Sequence, residues 1–200
     1  MSILEFIGVM RFNEALDPLL GDMERCIAKV MDDRKSGTID QFWPRALVRS
    51  FFVVVEAFTH ELKVMIQAAV ASGAFQLSED EIGALSDVVF DLDEQGRTVT
   101  RPRFIATDRH FRFIYKLAIR MTGGSYQLPV SDARFGHFKQ LLRVRNRITH
   151  PKGPLDVVVT AEEVEALLAA ILWYIEAQQE LVRLWQYQAA DSIYAASRTE

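Results

Sequence analysis

Apolar residues recur every three or four positions through almost the whole chain, the period of an α-helix that buries one face. The first such stretch, residues 14–35, tolerates Pro18 in its opening turn, where the missing N–H has no intrahelical partner to lose, and meets Gly37 just past its end. Asp40 can cap the longest stretch, predicted to run to Ser72 and stop at Gly73, with Pro44 near its start. Ser78 and Glu81 have the spacing of a reciprocal cap for a short helix ending near Leu92. Then the period changes. Over residues 95–107, Gly96, Pro102 and the alternating Thr98-Val99-Thr100 predict an extended arm or short hairpin. Helical spacing returns over 108–121, stopped by Gly123-Gly124, and again over 132–149, announced by Pro129 and Ser131. Pro151 forces His150 out of the helical region, and Gly153-Pro154 prevent a restart. A short extended piece, 157–159, leads to Thr160 and Glu163, a second capping pair, and to a last helix running to about Gln188.

Long helices joined by short connections predict an all-α helical bundle with residues 40–72 and 160–188 as its pillars. The expected division is an extra N-terminal helix over 1–37, the bundle over 38–190 with the extended arm inserted, and a tail over 191–200. The apolar runs 51–55 and 166–175 are far shorter than the roughly 20 residues that cross a bilayer, so no membrane span is expected. Met1 to Met10 carries no basic residue ahead of its apolar ones and no small-residue cleavage site, which predicts a cytoplasmic protein. Cys26, the single cysteine, reads as a small core residue on its helix.

Charge changes this picture, because the net value of −4 conceals a strong segregation. Residues 1–96 hold 8 basic and 17 acidic side chains, residues 97–152 hold 13 and 2, and residues 153–200 hold 2 and 8. Part of the central block must pair with acidic helices of the same fold. The remainder is available to phosphate or nucleic acid. Arg101 and Arg103 on the arm, and Lys139, Arg143, Arg147 and Lys152 on and after helix 132–149, are the candidates for such contacts.

On helix 132–149, Phe135, Phe138, Leu141, Leu142, Val144 and Ile148 gather on one broad face, and Arg145 falls in its middle. A guanidinium there needs a partner or a charged ligand, because an uncompensated buried charge is strongly unfavourable. Across the bundle, Arg45, Arg49, Glu56, His60, Lys63 and Gln67 form a narrow polar line on helix 40–72, so Glu56, with His60 one turn on, is expected to support Arg145 or His150. His150 lies at a helix end whose last carbonyls favour a positive group, and an imidazole exchanges protons near neutral pH. Asn146, one turn earlier, adds an amide that can position a hydroxyl or a phosphate oxygen. A cation, a proton carrier and a positioning group thus stand within six residues, a workable set for cutting RNA.

The run Arg145-Asn146-Arg147-Ile148-Thr149-His150, an Arg-x4-His spacing with a polar residue directly after the arginine, resembles the signature of the HEPN superfamily (higher eukaryotes and prokaryotes nucleotide-binding domains). Its setting agrees, since the motif ends one helix and a final long helix follows. The resemblance covers roughly residues 40–72 and 131–188 and leaves 1–37 and the basic arm as additions. It implies a metal-independent endoribonuclease in which two subunits of a homodimer join their motifs in one composite site. Arg145 would stabilise the scissile phosphate, His150 would act as general acid or base, and Asn146 would position substrate. RNA brings its own nucleophile, the 2′-hydroxyl, so proton transfer and charge stabilisation suffice and no metal or cofactor is expected. Many such proteins are toxins paired with an antitoxin protein, or antiviral effectors; others are catalytically inactive and bind nucleotides or proteins.

Other chemistry is set aside. His60, His110, His137 and His150 are dispersed without zinc-ligand spacing, and Gly123-Gly124 lacks the lysine and preceding strand of a phosphate loop. Phe111, Phe113 and Tyr115, interleaved with Arg109, Arg112 and Lys116, have the composition of a base-stacking surface but are expected to be core.

Overall fold

The computed structural model describes residues 16–37 and 40–196, with side chains to Tyr187. Their order is α1 (Asp17–Ser36), α2 (Phe42–Ala71), α3 (Glu79–Leu85), β1 (Val88–Leu92), β2 (Thr98–Pro102), α4 (Thr107–Met121), α5 (Ala133–Thr149), a 3-10 turn (Pro154–Val157) and α6 (Ala161–Ala196). The fold is an all-α bundle carrying one small hairpin. Among the described residues no helix is long and apolar enough to cross a membrane.

Helix boundaries follow local chemistry. Helix α1 ends where Gly37 adopts a φ of 71°, a left-handed conformation that costs glycine little. Asp40 accepts a hydrogen bond from the Phe42 N–H at 2.8 Å and so fastens the start of α2. At α3 the predicted reciprocal cap forms, with Glu81 N donating to Ser78 Oγ and Ser78 N donating to Glu81 Oε2. Asp132 caps α5 through the Arg134 N–H, and Thr160 with Glu163 caps α6.

Three boundaries differ from expectation. The short helix stops at Leu85, and Val88–Leu92 becomes a strand that pairs antiparallel with Thr98–Pro102. Ser86 to Phe90 explains this: Ser86 bonds its own strand backbone, and the β-branched Val88-Val89 followed by Phe90 suits a pleated surface better than a helix. The arm is therefore a true hairpin, turned at Asp93, whose carboxylate accepts the N–H groups of Gln95 and Arg97. Val157, expected in an extended piece, closes the 3-10 turn instead, because Asp156 gathers the Lys152 and Gly153 N–H groups and tightens that loop. Finally, α6 continues past Gln188 to Ala196 and takes up part of the expected tail. Residues 1–15, including the start of the first predicted helix, and 197–200 lie outside the described residues.

Helix α2 is the hub, packing on α1, α4, α5 and α6, while α5 also packs along α6. A single core joins these helices, and the N-terminal α1 contributes Leu20, Met23, Ile27 and Val30 to it. At its centre the Phe138 ring of α5 meets Phe51 and Phe52 of α2, Phe111 of α4 and Trp173 of α6, with centroids 5.4–6.1 Å apart. The α4–α5 connection is clamped as well: any side chain at Gly124 would put its Cβ 2.8 Å from Leu184 Cδ2.

Two outcomes are expected. Phe138→Ala removes the ring that touches three other helices and should cost about 3–5 kcal/mol in urea unfolding. A second concerns acid. The paired hydrogen bonds from Arg120, with help from Ser78 N, hold the Glu81 carboxyl down at about 2 from its ordinary 4.5. A carboxylate whose pKa falls on folding stabilises fully above its ordinary value and loses that contribution as pH drops toward the folded one. Stability measured between pH 5 and 2 should therefore fall less steeply in Glu81→Gln than in the wild type.

Candidate functional site

Helix α5 carries the Arg-x4-His run into its last turn. His150 leaves the helix at φ −126° and ψ 62°, outside the α region that Pro151 disfavours for the residue before it. Arg145, Asn146, His150 and Lys152 line one open groove of about 810 Å³, closed on its far side by Phe104, Thr107 and Asp108 at the start of α4. Phe104 is 96 % exposed and stands at the rim.

Arg145 solves its packing problem with the predicted partner. Its Nη2 donates to Glu56 Oε1 at 2.8 Å, and the two side chains retain 31 % and 41 % exposure. The guanidinium is thus charge-balanced from α2 and still faces the groove with donors to spare.

The polar line on α2 proves to be an anchor for everything after the motif. Arg49 Nη2 donates to the Ile148 carbonyl at 3.0 Å, one of the orphan carbonyls at the end of α5. Arg45 Nη1 reaches the Val157 carbonyl at 3.3 Å, and the Gln41 amide exchanges two hydrogen bonds with the Val159 backbone. Three side chains, Arg45 and Arg49 on α2 and Gln41 just before it, thereby hold the end of α5, the loop after it and the approach to α6.

Arg147 lines the groove as well, and it donates to the Val158 carbonyl at 2.7 Å and to Glu163 Oε2 at 2.9 Å, so it ties the motif to the cap of α6. Several other expected members of the site lie elsewhere. His60 is exposed on α2 beside Asp87 and His110 and does not line the groove. There Lys63, buried on α2, is paired with Asp87, and burial pushes the His110 imidazole down. Arg101 faces Asp91 across the hairpin at 3.2 Å, while Arg103 donates its backbone N–H to the Asp87 carbonyl; neither lines the groove. Lys139 lies over the Phe135 ring, 5.4 Å from its centroid, and Arg143 is exposed on α5.

Sequence reasoning missed Phe104, Thr107 and Asp108, because a groove wall made by a different helix leaves no local pattern. It also missed Gln41, whose role depends on a residue 118 positions away. Among the described residues no cluster of three or more His, Cys, Asp or Glu side chains is placed to hold a metal ion. Comparison of the chain with protein-family models, with curated proteins and with solved structures gives no match.

The Glu56–Arg145 pair keeps access to water, and such pairs contribute little to stability. Glu56→Gln is accordingly expected to stay within about 1 kcal/mol of wild type in urea unfolding. A loss of about 3 kcal/mol or more would instead mark the pair as a buried structural bridge.

Proposed function

We propose that this groove is the active site of a metal-independent endoribonuclease of HEPN type, completed across a homodimer. The observation that carries the reading is the convergence of Arg145, Asn146, His150 and Lys152 on one open groove, with Arg145 aimed by Glu56. An RNA phosphate there would meet the cations of Arg145 and Lys152, an amide and an imidazole, in a lining that also holds Arg147, Asp108 and Asp156.

The chemistry follows from those groups. The 2′-oxygen attacks phosphorus, the new O2′–P bond forms as the P–O5′ bond breaks, and the products are a 2′,3′-cyclic phosphate and a 5′-hydroxyl. One group must accept the 2′-hydroxyl proton and another must protonate the departing 5′-oxygen. Arg145, assisted by Lys152, balances the charge that builds on the non-bridging oxygens, and Asn146 orients the ribose or phosphate. A single imidazole cannot fill both proton-transfer roles in one step. His150 of the partner subunit supplies the second, which is the physical case for a composite dimer site. The same proposal places the protein in the cytoplasm as a toxin or antiviral effector, with an antitoxin protein as its regulatory partner in the former case.

One observation favours a second reading. Glu56 already neutralises Arg145, as it would in a catalytically inactive module that docks a nucleotide or a protein. Incubating purified protein with a mixed RNA pool in EDTA decides between them. Cleavage leaving 2′,3′-cyclic ends is expected, with His150→Ala slower by about 10²–10⁴-fold, the range for a general acid or base. Equal cleavage by both proteins, or none by either, would overturn the nuclease assignment.

A further inference from the structure

A second groove, of about 560 Å³, opens along α4 and is lined by Arg109, Arg112, Phe113, Lys116, Tyr126 and Leu128. Positions 109, 112, 113 and 116 follow the i, i+3, i+4, i+7 spacing, so they share one face of the helix over about 10 Å. That face divides unexpectedly. Phe111 and Tyr115 are fully packed core residues, whereas Phe113 is only half-buried and lies among the cations.

The cations on this face stand outside the ion pairs of the fold. Among the described residues, Arg109, Arg112 and Lys116 make no ion pair. The nearby carboxylates are engaged by other arginines: Glu81 by Arg120, Asp132 and Glu176 together by Arg134, and Glu180 by Arg183, while Glu81 also feels the charge of Lys116. Asp108 belongs to the neighbouring groove. Three exposed cations with no ion-pair partner of their own among the described residues, and a partly exposed aromatic ring, therefore share this face.

The two grooves are connected by α5. Arg112 of α4 and Lys139 of α5 approach the same Phe135 ring, at 6.0 and 5.4 Å from its centroid. From Phe135 the row Lys139, Leu142, Asn146 climbs one face of α5 into the Arg145–His150 groove, about 16 Å away at 1.5 Å per residue.

We propose that the α4 groove binds single-stranded RNA, with phosphates on Arg109, Arg112 and Lys116 and a base stacked on Phe113, and that it holds the strand flanking the scissile phosphate. Cations spaced along a helix beside an accessible ring match a phosphate chain carrying flat bases; an acidic peptide would use the cations and leave the ring idle. The inference rests on the RNA reading of the first groove for its position on the substrate, but its binding chemistry is independent of cleavage.

The test is fluorescence anisotropy with a fluorescein-labelled uridine oligonucleotide of about 12 residues, within the usual site size for such surfaces. All measurements are made in the His150→Ala background, where the probe stays intact, across a salt series. Arg112→Glu with Lys116→Glu should weaken binding at least tenfold and lower the salt slope by roughly 1.4, for two lost phosphate contacts on a single strand. Phe113→Ala should weaken binding by roughly 5- to 100-fold with the slope unchanged. Arg112→Ala with Lys116→Ala, both exposed, repeats the charge test with less disturbance, and circular dichroism confirms the fold of each variant.

Unaltered affinity in the charge variants overturns the groove while leaving the nuclease reading intact. Equal competition by polyglutamate and by unlabelled RNA also overturns it, in favour of an acidic protein partner. Groove-dependent binding together with cleavage that ignores His150→Ala supports the groove and overturns the catalytic assignment. Absence of RNA binding in every protein removes both.

Discussion

The contact of Phe138 with rings from α2, α4 and α6 is the constraint on which the rest of the molecule depends. Aromatic side chains bury large areas and prefer a few ring orientations, so a helix pinned this way has little freedom to rotate about its own axis. Phe138 lies seven residues, two turns, before Arg145, which leaves α5 with the guanidinium turned toward Glu56 and the groove. Packing in the core thereby sets the direction of a charge at the surface.

Electrostatics then divides the central arginines into two populations. Arg120, Arg134 and Arg147 are held by carboxylates on α3, α5's own cap and α6. Arg109, Arg112 and Arg143 have no such partner among the described residues. The slight overall acidity of the chain is therefore compatible with a basic central segment, because the acidic excess lies in residues 1–96 and 153–200. A net charge averages over this segregation along the chain.

Helix-level organisation was readable because the responsible signals are local. The Ser78–Glu81 and Thr160–Glu163 caps and the Pro151 stop each act within a few residues. The Glu56–Arg145 contact was legible for a different reason: a charge in an apolar stripe demands an answer, and few acidic residues lie on a facing helix. What escaped depends on distant pairing. Val88–Leu92 looks helical until its partner strand is known, and the ties from Arg147 to Val158 and Glu163 form only when the chain after Pro151 folds back. Phe111 and Tyr115 are core as expected, whereas Phe113 packs against the core but stays partly exposed, since an interleaved row of rings does not say how fully the neighbouring helices cover each one.

Cys26, the sole cysteine, sits in the seam between α1 and α2 with its sulfur 3.8 Å from Ser50 Oγ, and burial pushes its thiol upward from 9.0. Only a thiolate reacts readily, so in the closed molecule this sulfur is shielded both sterically and by protonation. Separation of the first helix from the hub would remove both protections together. The chain thus contains a built-in chemical clock whose alkylation rate counts the openings of one seam, without any label that could disturb the rest.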